Sequence, residues 1–116
     1  MITFICYPNC TTCQKAKAWL EDHKIEFHLR DIKLHNPTLA ELTTWHQASG
    51  LPLKRFFNTS GLLYKSLDLK TRLPHISEED MLHLLATDGM LVKRPLVIGE
   101  GFVLVGFKEA EWESKL

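Results

Sequence analysis

Cys10 and Cys13, in the stretch YPNCTTCQ from Tyr7 to Gln14, are the residues whose type and spacing point most directly to chemistry. Two thiols three residues apart suit a metal clip, a structural disulfide, or a reactive thiol with its resolving partner. A zinc site needs two further ligands, and the sequence offers neither a second Cys-x-x-Cys nor a tight histidine pair among its six histidines. No bound metal or organic cofactor is expected. Three cysteines in all, two of them close together, fit a reducing compartment. There such a pair is more often catalytic, redox-sensing or metal-binding than structural. Cys6, the third, lies in an apolar run and reads as a small buried hydrophobe.

The chemistry depends on what positions the pair. Ile2 to Cys6 is short, apolar and β-prone, and Thr12 to His23 carries Ala16, Trp19 and Leu20 at the spacing of one helix face. The pair therefore sits at a strand-to-helix junction. At a helix start several N–H groups lack intrahelical partners and the macrodipole is positive, which favours a thiolate, the nucleophilic form. Cys10 is the candidate nucleophile. Cys13, one turn deeper, can attack a mixed disulfide at Cys10 and leave a Cys10–Cys13 bridge. The helix start at Thr11 and Thr12 is a candidate anion-binding place.

The rest of the chain continues the alternation. Ile25, Phe27 and Leu29 alternate with polar neighbours in Ile25 to Ile32, predicting a half-buried second strand. Thr38 followed by Glu41 has capping-box spacing for a helix through Leu42 and Trp45 that stops at Gly50, and Ser77 with Asp80 marks another ending near Asp88-Gly89. Between them, Leu51 to Lys70 has mixed periodicity and is read as loop with short helix. Pro95 to Ile98 and Phe102 to Phe107 read as two strands joined by Gly99-Glu100-Gly101, and Glu109 to Leu116 as a terminal helix. The order β-α-β, helical insert, β-β-α is that of an α/β, thioredoxin-like fold. Pro95 would enter a strand beside the cysteines and suggests a tight turn with a cis bond. Arg94 could aim its guanidinium at an anion on the helix start; a surface salt bridge is an equally ready use.

Composition narrows the partners. In 116 residues, fourteen basic residues balance fourteen acidic ones and 45% are hydrophobic. That fits one domain with a true core and gives no global field for nucleic acid or an anionic membrane. No apolar run approaches the ~20 residues of a spanning helix, and the N-terminus lacks the marks of a signal peptide. The expectation is a cytoplasmic protein.

YPNCTTCQKAKAWLE and GMLVKRPLVI together resemble the ArsC/Spx family, which groups glutaredoxin-linked arsenate reductases with Spx-type redox-sensing regulators. The resemblance spans almost the whole chain. It implies a thioredoxin-like, glutaredoxin-type fold with a core at about 1–35 and 92–116 and a helical insertion at about 36–91. It also implies a nucleophile at Cys10, a cis bond before Pro95, an anion-facing Arg94, and reducing equivalents from glutathione, glutaredoxin or thioredoxin. Departures refine this. Of the three arginines around the nucleophile in those reductases only Arg94 is matched, Asn58 and Gly106 standing at the other two places. Cys13 replaces a typical Ser, and Cys6 a His. Arsenate turnover is accordingly expected to be weak, and an ArsC-type thiol–disulfide oxidoreductase is the reading. The Cys pair also matches the Spx branch, which implies the alternative of a redox-sensing regulator whose partner is the RNA polymerase α subunit.

Overall fold

The computed structural model describes residues 1–116. It opens with β1 (Ile2–Cys6), α1 (Thr11–Asp22) and β2 (Phe27–Asp31). β1 and β2 pair in parallel from Ile2 opposite Phe27 to Cys6 opposite Asp31. Parallel neighbours need a crossover, and α1 supplies it. β3 (Leu96–Ile98) runs antiparallel to β1 on its other side, and β4 (Val103–Val105) antiparallel to β3, so the sheet order is β2-β1-β3-β4. The turn between β3 and β4 closes with the Gly99 N–H donating to the Phe102 carbonyl at 3.0 Å.

Period-two alternation divides the sheet into two buried faces. Ile2, Phe4 and Cys6, with Val97 and Leu104, pack against Ala16, Trp19 and Leu20 of α1 and Trp112 of α6 (Glu109–Lys115). Ile5, Leu96, Val103 and Val105 face the opposite way, toward Leu42, Trp45, Phe56 and Leu85. That second layer is built by the helices between β2 and β3: α2 (Leu39–Ser49), α3 (Leu62–Ser66), α4 (Leu69–Arg72) and α5 (Glu78–Thr87). α2 begins with the expected capping box, the Thr38 hydroxyl accepting the Glu41 N–H while Glu41 accepts the Thr38 N–H, and ends at Gly50 with φ +68°. α5 starts at Ser77, whose hydroxyl accepts the Asp80 N–H.

Of two stretches with weak patterns, the first is loop and short helix as read and the second departs from its alternation. Leu51 to Lys70 contains a 3₁₀ turn at Leu53–Phe56, then α3 and the start of α4. Pieces of one turn bury one or two side chains each, here Leu53, Phe56, Tyr64 and Leu69, so no continuous stripe exists for a periodicity to reveal. β2 is the second. Its alternation predicts a buried Leu29, yet Leu29 is 57% exposed. β2 is an edge strand, and its middle residues His28 and Leu29 are exposed.

The helical layer is stitched to the segment ahead of β3. Phe57 bridges to Val92, the Asn58 N–H donates to the Leu91 carbonyl at 2.8 Å, and the Lys93 N–H donates to the Phe56 carbonyl at 2.8 Å. This ladder sets Asn58 beside Lys93 and Arg94. No helix is long and apolar enough to cross a membrane.

Candidate functional site

Cys10 is the N-cap of α1, its backbone extended at φ −91°, ψ 121°. The turn before it is held from both sides: the Cys10 N–H donates to the Tyr7 carbonyl at 3.0 Å, and Gln14 Nε2 donates to the Pro8 carbonyl at 2.9 Å. Cys10 Sγ accepts the Cys13 N–H at 3.4 Å, and the Cys10 carbonyl accepts the Gln14 N–H. A sulfur at the cap takes the place that a Ser or Asp oxygen usually holds. The first-turn N–H groups of Thr11 and Thr12 have no intrahelical acceptor by position.

Cys10 is partly exposed and opens on a cavity of about 550 Å³. Thr12, Asn58, Lys93 and Arg94 share its lining, so the structure gathers Cys10, Thr12 and Arg94 and adds Lys93 and Asn58. Thr11 does not line it and is exposed. The Arg94–Pro95 peptide bond is cis. Arg94 forms no ion pair; its Nη1 donates to the Met90 carbonyl at 3.3 Å and its guanidinium lies 5.4 Å from the Tyr7 ring centroid. Asp88, on the same wall, is engaged as a cap by the Met90 N–H at 2.8 Å. Two cations and one carboxylate therefore share the cavity with the thiol.

Lys93 is a cation that the count of arginines passes over. Gly106 has φ +79°, and a Cβ there would lie 3.3 Å from Lys93 Cε. The lysine stem thus occupies the space that a side chain at Gly106 would need. Gly106 does not itself line the cavity, whereas Asn58, only 8% exposed, does.

Cys13 is buried behind Cys10 at 2% exposure, and its Sγ accepts the Tyr7 N–H at 3.4 Å. It also faces Cys6. The Cys13 thiol hydrogen-bonds to the Cys6 sulfur, which holds Cys6 below the ordinary thiol range against the opposing effect of burial. The same bond, reinforced by burial, pushes Cys13 well above that range. Of the two thiols, Cys6 is therefore the easier to ionise and Cys13 the harder. Cys6 is both a core residue, as its apolar setting predicts, and a partner of Cys13, which its place in an apolar run conceals. The legible signal was periodicity: Cys6 shares the β1 face of Ile2 and Phe4, the face that α1 covers.

The model of the ArsC family matches residues 6–114. The crystal structure of an ArsC family related protein from Bacteroides fragilis is 57% identical, with a TM-score of 0.96 over 97% of this chain and 95% of that one. A possible arsenate reductase from Streptococcus mutans is 43% identical, with a TM-score of 0.91 over 100% and 98%. Global transcriptional regulator Spx of Streptococcus pneumoniae strain R6 is 32% identical over 96% of this chain and 82% of its own. The architecture shared with these structures is the thioredoxin-like one.

Proposed function

Because this chain belongs to the ArsC family, we propose that it acts as a thiol–disulfide oxidoreductase through Cys10 and Cys13, in a cytoplasmic setting. The observation that carries this reading is the pairing of an accessible Cys10 at a cation-lined cavity with a Cys13 buried directly behind it. Cys10 thiolate attacks one sulfur of an oxidised thiol substrate, forms a mixed disulfide and expels the other sulfur as a thiolate. Cys13 then passes its proton to Cys6, attacks Cys10 Sγ, and releases the bound half of the substrate as a second thiolate. The substrate gains two electrons and the chain keeps a Cys10–Cys13 disulfide. Glutathione, glutaredoxin or thioredoxin would return the electrons, with no metal or organic cofactor required of the chain. Arg94, Lys93 and the N–H group of Thr12 would hold the carboxylate of a glutathionyl group.

The test is labelling and mapping. With limiting iodoacetamide at neutral pH, Cys10 should be alkylated ahead of Cys6 and Cys13, both buried. Mild oxidation should give an intramolecular Cys10–Cys13 bridge, and Cys13→Ser should instead accumulate mixed disulfides at Cys10. Only intermolecular bridges in the oxidised wild type would refute the resolving role.

The 32% identity with Spx favours a second reading of the same pair, in which the disulfide is a state read by a partner and not a turnover intermediate. The partner would be the RNA polymerase α subunit. Capture by its purified C-terminal domain should then differ between the oxidised and reduced chain.

A further inference from the structure

Cys6 and Cys13 open together on a second, smaller cavity of about 160 Å³, on the β2 side of the α1 start. Cys10 does not line it, just as Cys6 and Cys13 do not line the large one. Lys17 and Gln14 stand at its wall, and the exposed Leu29 gives it an apolar rim. Cys13 is therefore the common neighbour of two thiols that look onto different openings. Its backbone N–H touches Cys10 Sγ, its side chain shares the wall of the small cavity and one core cluster with Cys6, and no three ionisable side chains here converge as a metal site.

The geometry points to Cys6 as a third redox thiol, which takes over Cys13 from Cys10 and carries the disulfide from the large cavity to the small one. The inference rests on the proposed Cys10–Cys13 intermediate. Once that bridge exists, Cys6 has lost its hydrogen-bond donor and returns the proton it took from Cys13 to water through the small cavity. The Cys6 thiolate then attacks Cys13 Sγ. A Cys6–Cys13 bond forms, the Cys10–Cys13 bond breaks, and Cys10 leaves as a thiolate at the helix start. One disulfide replaces another, so no oxidant or reductant is consumed. Cys10 is free for a second substrate while the two electrons' worth of oxidation waits in the Cys6–Cys13 bridge. The nearby Lys17 ammonium favours the Cys6 thiolate against burial and the Asp31 carboxylate, so the step belongs to alkaline pH, and the Leu29 rim suits an apolar-edged thiol reductant reaching that bridge.

Three samples test this. Cys10→Ser, reduced and then treated with diamide, should give a Cys6–Cys13 disulfide on peptide mapping after acid quench and N-ethylmaleimide trapping. Two free thiols there would overturn the inference. Wild-type protein, oxidised with one equivalent of glutathione disulfide and held at pH 8, should regain iodoacetamide labelling at Cys10 while one intramolecular disulfide per chain persists. Cys6→Ala should regain at least tenfold less. A wild type that keeps Cys10 blocked, with the Cys10–Cys13 peptide intact, overturns the handover. A wild type that never forms Cys10–Cys13 overturns the proposed function instead, and the peptide map tells the two failures apart. The Cys10→Ser and wild-type results decide the matter even if Cys6→Ala does not fold.

Discussion

Arg94 lies over Tyr7 with a carbonyl as its hydrogen-bond partner and no carboxylate, so its charge is available to a ligand in the cavity. Charge-assisted hydrogen bonds contribute roughly 1.5–3 kcal/mol each. Arg94→Ala should therefore lower kcat/KM for glutathione disulfide by roughly 10- to 150-fold, at a factor of ten per about 1.4 kcal/mol. Turnover of the uncharged bis(2-hydroxyethyl) disulfide should change by no more than about twofold. Equal losses on both substrates would show that Arg94 shapes the thiol and does not bind the anion. Arsenate is a harder case: a compact dianion meets Arg94 and Lys93 together with the Asp88 carboxylate, so reduction with glutathione and glutaredoxin should be weak. Asn58→Arg should raise it, because Asn58 faces the cavity, while Gly106→Arg should only strain the chain at φ +79°. Cys10, Cys13, Arg94 and Pro95 were legible as residues because spacing and neighbours mark them. Lys93, and Cys6 as a neighbour of Cys13, were not. Their positions come from approach across the fold, Lys93 under Gly106 and Cys6 beside Cys13, which one-dimensional spacing does not carry.

α2 shows what a local pattern does specify. Thr38 and Glu41 announced the helix start, Gly50 its stop, and both ends stand where those residues put them. What the pattern did not announce is that Glu41 also receives Arg30 from the end of β2, with Nη1 2.6 Å from Oε2 and Nη2 2.8 Å from Oε1. Arg30 in turn lies 5.7 Å from the Trp45 ring centroid and donates to the His35 carbonyl, so one side chain ties strand, connection and helix. The guanidinium holds the Glu41 carboxyl down to about 2. An unfolded Glu titrates near ~4.3, so the folded value is depressed: the stabilisation is present above that pH and fades as pH falls from about 5 toward 2. Both side chains are partly exposed, and solvent screening limits the pair to about 1 kcal/mol. Glu41→Gln keeps an amide able to complete the capping box and removes only the charge. Urea unfolding should show the variant about 1 kcal/mol weaker at pH 7, with the gap shrinking steadily as pH falls toward 2. A gap that widens in acid would contradict the assignment. The stretch from Leu51 to Lys70 marks the opposite limit, because its one-turn pieces are defined by the burial of single side chains such as Tyr64 and Leu69 and not by any repeat along the chain.

Two separate cores lie on the two faces of one sheet, and the thiols belong to only one of them. Cys6 and Cys13 pack with Phe4, Trp19 and Trp112, whereas the helical layer fills the other face. α6, at seven residues, is too short to persist alone and is held by Trp112. That residue is fully buried, meets Phe4, Trp19 and Phe107 edge-on at 6.3, 5.6 and 4.7 Å between ring centroids, and donates Nε1–H to the Gly106 carbonyl at 3.2 Å. Trp112→Ala should cost about 3–5 kcal/mol, a large share of the roughly 5–15 kcal/mol that holds an ordinary domain. Leu42→Ala, on the opposite face and also fully buried, should cost about 2–5 kcal/mol. The division of the cores predicts different consequences for chemistry. Loosening the Trp112 side frees α1 against the sheet, so Cys6 and Cys13 should react faster with a maleimide in the folded state, with Cys10 little changed. Leu42→Ala should leave the buried thiols protected. Measured under native conditions and compared at equal loss of stability, labelling of Cys13 should rise at least fivefold more in Trp112→Ala than in Leu42→Ala. Equal labelling would mean that the sheet transmits disorder between its faces and that the thiols are guarded by global folding alone.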